Sequence, residues 1–78
     1  MNLKVYSPEK IIFDEAVSSV KFPGIDGTFQ ILKDHAPMIS ALKEGNIIVQ
    51  EAKGNKEIPI KGGFVEVLHN ELSALVEE

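Results

Sequence analysis

The sequence contains no cysteine, no tryptophan and no arginine. Without cysteine, no disulfide can support the fold, so a chain of 78 residues depends on its apolar core or on a partner for stability. The 8 basic residues are all lysines, and with 12 acidic residues they give a net charge of −4. Nucleic-acid-binding surfaces are basic and rich in arginine, so this composition argues against a nucleic-acid partner.

Long apolar runs are absent as well. No stretch approaches the ~20 apolar residues that cross a bilayer. The first residues, Met1 to Lys4, lack the apolar segment of a signal peptide. We therefore expect a single domain over residues 1–78, in the cytoplasm and without direct membrane insertion.

Turn-forming residues recur along the whole chain. Their spacing is close to the roughly 8–12 residues typical of a β-sandwich or barrel. The turn signals are Pro23-Gly24, Asp26-Gly27, His35-Ala36-Pro37, Gly45-Asn46, Gly54-Asn55, Gly62-Gly63 and His69-Asn70.

Between these turns, apolar residues alternate with polar ones. Sets such as Leu3 with Val5, or Val20 with Phe22, share one face of a strand and predict one buried side. The segments 47–49 and 64–68 are apolar in both phases, which predicts cover on both sides by a second sheet or a docked partner. Pro59 cannot donate to a strand ladder, so its strand is predicted at a sheet edge.

One segment supports two interpretations. Asp34 could cap a short helix that has Pro37 in its first turn and ends at Gly45. The same residues could instead form a strand from Met38 to Leu42. Local rules leave both possibilities open, because a two-turn helix is marginal without support.

Candidate chemistry is sparse. His35 and His69 fall in turns and have no second ligand at metal-binding spacing. Asp34, His35 and Ser40 include the residue types of a hydrolytic triad, but no nucleophile elbow accompanies them. Gly62-Gly63 lacks the lysine and serine of a phosphate loop and is better suited to close approach between strands. We therefore expect no catalytic, metal-binding or cofactor-binding residue and no cofactor.

Four blocks occur in a specific order: VKFPGIDGTFQIL at 20–32, HAPMISALKEG at 35–45, GGFVEV at 62–67 and LSALV at 72–76. Together they resemble the N-terminal β-sandwich domain of the epsilon subunit of F-type ATP synthases. The opening strand pair, from Leu3 to Phe13, is similar to the start of that family. The resemblance covers essentially the whole chain.

The resemblance implies an all-β fold, a flattened sandwich or barrel of about ten short, mostly antiparallel strands, with Met38 to Leu42 extended. It implies a non-catalytic subunit of the central stalk, peripheral to the cytoplasmic face of the membrane. Such a subunit binds the gamma subunit and the c-ring and helps couple proton-driven rotation to ATP synthesis. The runner-up is a free-standing small β module that binds a peptide or ligand at a sheet edge.

Site residues follow from the same resemblance. The residues expected to face gamma are His35, Pro37, Met38 and Ser40. Those expected to face the c-ring are Asp26, Gly27 and Thr28. Where the family usually has Pro-Gly, this chain has Lys33-Asp34, so that turn is expected to differ. We expect a short form without the family's C-terminal helical hairpin, and hence no nucleotide binding.

Overall fold

The computed structural model describes residues 1–78 and contains strands but no helix, and hence none that could cross a membrane. The all-β fold class expected from the sequence is confirmed. The strands are β1 (Asn2–Tyr6), β2 (Ile11–Ala16), β3 (Ser19–Gly24), β4 (Gly27–Leu32), β5 (Met38–Glu51), β6 (Gly54–Leu68) and β7 (Glu71–Glu77).

The strands form one 7-stranded sheet in the order β2-β1-β7-β6-β5-β3-β4. All neighbouring strands are antiparallel except β1 and β7, which are parallel. Residues 62–67 of β6 pair with both β5 and β7, whereas residues 54–60 pair with β5 alone. The two long strands therefore belong to two layers, and the sheet closes over itself as a sandwich.

The first layer contains β2, β1, β7 and the adjoining halves of β6 and β5, residues 62–68 and 38–43. The second layer contains β4, β3 and the remaining halves of β5 and β6. A cluster of 17 buried apolar residues from both layers forms the core between them. Phe22, one of these, stacks on Phe29 with ring centroids 5.6 Å apart.

The structure has seven strands, where about ten short ones were expected. The difference arises because Gly45-Asn46 and Gly62-Gly63 lie inside β5 and β6, which run to 14 and 15 residues, and do not form turns. A Cβ at Gly45 would lie 2.9 Å from the Pro23 side chain, and one at Gly63 only 2.2 Å from the Leu75 carbonyl oxygen. These glycines allow β3 and β7 to come close while β5 and β6 continue as bent strands.

The predicted burial alternation is confirmed in the central strands. Leu3, Val5, Val20 and Phe22 are all fully buried. A strand presents every second residue to the same face, so the apolar residues of one phase fill the core. The other buried apolar residues are Phe13, Val17, Ile31, Leu42, Ile47, Val49, Ile58, Ile60, Val65, Val67, Leu72, Ala74 and Val76.

The segment from Met38 to Leu42 is a strand, as the resemblance implied, and the helical alternative is wrong. Its residues pair one by one with β6, from Met38 opposite Val67 to Leu42 opposite Gly63. Leu42 is buried while Ile39 is 71% exposed. Pairing with a neighbouring strand outweighs a helix signal only two turns long.

Pro59 lies where the sequence predicted, at a sheet edge. It is opposite Asn46 of β5, and the other side of this half of β6 carries no strand, because pairing with β7 begins at Gly62. An edge position of this kind tolerates a residue without an N–H.

Candidate functional site

An apolar row runs across the outer face of the first layer. Ala41 of β5 is opposite Phe64 of β6, and Phe64 is opposite Leu75 of β7. Leu75 is next to Tyr6 of β1, which is opposite Ile11 of β2. We call Ala41, Phe64, Leu75, Tyr6 and Ile11 the outer row. It crosses every strand of this layer at right angles to the strand direction.

The outer row is accessible to solvent. Phe64 and Ile11 are each 59% exposed and Leu75 is 38% exposed, whereas Tyr6 and Ala41 are half-buried. Ile39 is opposite Glu66, so it lies diagonally next to both Phe64 and Leu68 on the same face. Ile39 therefore extends the apolar surface toward the start of β5. Exposed apolar side chains that adjoin in this way are typical of a protein-docking surface.

The sequence located this surface only in part. Phe64 and Leu68, in the segment predicted to be covered on both sides, do point outward and are 59% and 46% exposed. The segment 47–49 contributes little, because Ile47 and Val49 are fully buried and only Ile48 is partly accessible. The other row members were missed, since each strand adds only one residue to the row and only the register aligns them.

The residues expected to face gamma lie at the start of β5 and in the turn before it. His35 and Pro37 are exposed, and Met38 and Ser40 are half-buried. The His35 N–H donates to the Leu32 carbonyl oxygen at 3.3 Å, and the Ser40 hydroxyl donates to the Ala41 carbonyl oxygen at 3.3 Å. Along β5 only Ile39 of this segment points outward beside the outer row, whereas Met38 and Ser40 are opposite the buried Val67 and Val65 and lie on the other face of the strand.

The residues expected to face the c-ring, Asp26, Gly27 and Thr28, form the exposed tip of the β3–β4 hairpin. Gly27 has φ 129°, a backbone conformation that favours glycine. A cleft of about 550 Å³ is lined by this tip and by Met38 and Ser40. Residues predicted to face two different partners therefore line one cleft.

A second group of polar residues gathers where the β4–β5 turn meets the β6–β7 turn. Asp34, His35, His69 and Asn70 surround a small depression there, although the two turns are far apart in the sequence. The Asp34 N–H donates to Asn70 Oδ1 at 2.7 Å, and Asn70 Nδ2 donates to Asp34 Oδ1 at 3.0 Å. The sequence predicted both turns but did not predict that they are bonded to each other.

These polar groups do not form a catalytic or metal-binding arrangement. The Asp34 carboxylate bonds to Asn70, the His35 Nδ1 is 2.7 Å from the Ala36 carbonyl oxygen, and the Ser40 hydroxyl bonds to Ala41. A triad requires these groups to bond to one another. No group of three or more His, Asp or Glu side chains converges to hold a metal ion.

Comparison with known proteins gives a consistent result. The family model of the ATP synthase delta/epsilon chain, β-sandwich domain, matches residues 1–78. The ATP synthase epsilon chain of Chlorobium limicola is 42% identical over 77 residues, covering 97% of this chain and 88% of that protein. The epsilon chain of Leptospira borgpetersenii is 39% identical over 77 residues, and the match covers 61% of its length.

Two solved assemblies contain chains of the same fold. A chain in the mitochondrial ATP synthase of Euglena gracilis, solved as OSCP/F1/c-ring, aligns with a TM-score of 0.89 at 20% identity, covering 97% of this chain and 49% of that one. A chain in the central stalk/c-ring of the Tetrahymena thermophila enzyme aligns with a TM-score of 0.81 at 14% identity, covering 99% and 63%. The match over residues 1–78 and the identity to the Chlorobium relative establish that this chain belongs to the family of ATP synthase delta/epsilon chains, as its β-sandwich domain.

Proposed function

We propose that the chain is a non-catalytic subunit of the central stalk of an F-type ATP synthase. In this role it binds the gamma subunit and the c-ring, at the cytoplasmic face of the membrane, and helps couple proton-driven rotation to ATP synthesis. The observation that carries the proposal is the outer row, an exposed apolar surface on a domain without a catalytic or metal-binding arrangement. Membership of the epsilon family supports the identity of the partners.

The outer row suits a protein partner in size and chemistry. Neighbouring strands lie about 4.8 Å apart, so a row from β5 to β2 is roughly 19 Å long. Phe64 and Tyr6 supply aromatic surface, the residue type that dominates the energetics of protein interfaces. We assign the outer row and the segment from His35 to Ser40 to the gamma subunit.

The contact with the c-ring is assigned to the β3–β4 hairpin. Asp26 and Thr28 present polar groups at an exposed tip, which suits the polar loops of a membrane rotor better than an apolar surface. Since this tip shares its cleft with Met38 and Ser40, a partner held at the start of β5 lies beside one held at the hairpin. In this arrangement the domain links gamma and the ring through a single rigid sheet.

The test is the affinity of the purified domain for gamma from the same source, measured by calorimetry. Ser40→Asp places a charge in the cleft and Phe64→Asp places one on the outer row, the two surfaces assigned to gamma, and each is expected to weaken binding by about 2–4 kcal/mol. Lys53→Asp, in the exposed β5–β6 hairpin at the other end of β5, is the control and should change the affinity little. Unchanged affinity in both interface variants would show that the surface is wrongly assigned.

A further inference from the structure

We propose that Asn70 is a positioning residue, whose side chain holds the β4–β5 turn in the conformation that presents His35 and Pro37 to the partner. The inference rests on the proposed function, because it names a determinant of that same docking surface. Asn70 itself lies in the β6–β7 turn, outside the residues assigned to either partner.

The two turns are joined by a reciprocal pair of hydrogen bonds. Asn70 Oδ1 accepts from the Asp34 backbone N–H at 2.7 Å, and Asn70 Nδ2 donates to the Asp34 carboxylate at 3.0 Å. One amide side chain thus satisfies both a backbone and a side-chain group of the other turn. Asparagine is suited to this because its side chain carries a donor and an acceptor on the same group.

Both partners occupy a backbone conformation that few residues adopt easily. Asp34 has φ 64° and Asn70 has φ 63°. Asparagine and aspartate tolerate this left-handed region better than other residues with side chains. The Lys33-Asp34 departure from the family's usual Pro-Gly is therefore compatible with a tight turn, and Asp34 adds a carboxylate that glycine lacks.

Asn70 is fixed on its own side. The Asn2 N–H donates to the Asn70 carbonyl oxygen at 2.9 Å, which connects the β6–β7 turn to the start of β1. The β4–β5 turn has much less support. Residues 32–37 are all exposed, and its internal backbone hydrogen bond, from the His35 N–H to Leu32, is long at 3.3 Å. The bonds from Asn70 therefore attach a weakly held turn to a firmly held one.

Such an attachment raises affinity by pre-organisation. A partner that binds one conformation of the turn has an apparent affinity proportional to the fraction of molecules in that conformation. Removing the Asn70 side chain leaves every contact residue of the docking surface unchanged and lowers only that fraction. Weaker binding with intact contact residues is the distinguishing sign of positioning.

The test begins with Asn70→Gly, which tolerates the positive φ and removes the side chain. We expect the affinity for gamma to fall by about tenfold, the scale of one or two exposed hydrogen bonds. Amide exchange at Asp34 and His35 should accelerate by a similar factor, while urea unfolding shows that the domain remains folded. Asn46→Thr removes a comparable exposed bond, from Asn46 Nδ2 to Glu57 at 2.7 Å, and should change neither quantity.

A rescue experiment separates positioning from general destabilisation. Asn70→Asp alone places two carboxylates together and should weaken binding as Asn70→Gly does. Adding Asp34→Asn exchanges the amide and the carboxylate, so both hydrogen bonds can form again and the affinity should return to within about twofold of the original. Wild-type affinity in Asn70→Gly, or failure of the exchanged pair to recover in a folded domain, would overturn the inference. Absence of gamma binding by the unmodified domain would instead count against the proposed function.

Discussion

Adjacent glycines in β6 have different roles. Gly63 has φ 145°, and a Cβ there would lie 2.2 Å from the Leu75 carbonyl oxygen of the neighbouring strand. At Gly62 the nearest atom to an added Cβ is the Leu42 carbonyl oxygen at 3.5 Å, which is ordinary van der Waals contact. The same residue type is thus required at one position and replaceable at the next.

We expect Gly63→Ala to lower the free energy of unfolding by about 3 kcal/mol, because an L-residue is strained at that φ and the β6 and β7 backbones must separate. Gly62→Ala is the matched control and should cost under about 1 kcal/mol. Urea unfolding monitored by circular dichroism measures both. Equal stabilities of the two variants would contradict the assigned role of Gly63.

For a single residue, the sequence predicts which backbone conformation is required but not which group the side chain bonds to. The pair Gly62-Gly63 indicated close approach between strands, and Gly63 confirms it. His69-Asn70 indicated a turn, and both residues have positive φ. The bonds between Asn70 and Asp34 could not be predicted, because they join positions 36 residues apart and depend on how the whole sheet closes.

Among the strands, period-two alternation identifies the buried face well. It fails to predict where a strand ends when glycine lies inside it. The signals at Gly45 and Gly62 resemble turns, yet β5 and β6 continue through them and bend from one layer into the other. Glycine favours a turn and a bend alike. The two are distinguished only by strand pairing, since both halves of a bent strand pair with the same neighbouring strand.

Phe22 and Phe64 show the difference between an inward-facing and an outward-facing phenylalanine. Phe22 of β3 is fully buried and stacks on Phe29, whereas Phe64 of β6 is 59% exposed on the outer row. Phe22→Ala should cost about 3–5 kcal/mol of unfolding free energy, enough to unfold much of so small a domain. Phe64→Ala should cost under about 1 kcal/mol.

Thermal and urea unfolding of the two variants check this difference. A large loss of stability in Phe64→Ala would mean that the outer row serves the fold of the isolated domain. In that case a role in folding, and not a docking partner, would account for these apolar residues.

At the scale of the whole molecule, the lining of the largest cleft does not suit a nucleotide. The largest cleft, about 550 Å³, is lined by Asp26, Met38 and Ser40 among others but by no basic residue. A triphosphate placed there would meet a carboxylate and no lysine. We expect calorimetry with Mg-ATP to detect no binding by this domain and an ATPase assay to show no turnover. Micromolar binding corresponds to about 8 kcal/mol and would require a site that these residues do not form.

If the outer row binds gamma, gamma should protect it from chemical labelling. Because the chain has no cysteine, Ala41→Cys on the row and Ala52→Cys in the β5–β6 hairpin each introduce a single thiol. The rate of maleimide labelling is measured for each variant alone and with excess gamma. We predict that gamma slows labelling at position 41 by at least about tenfold, as burial in an interface core requires, and leaves the rate at position 52 unchanged. Equal labelling rates with and without gamma at position 41 would show that the outer row does not bind gamma.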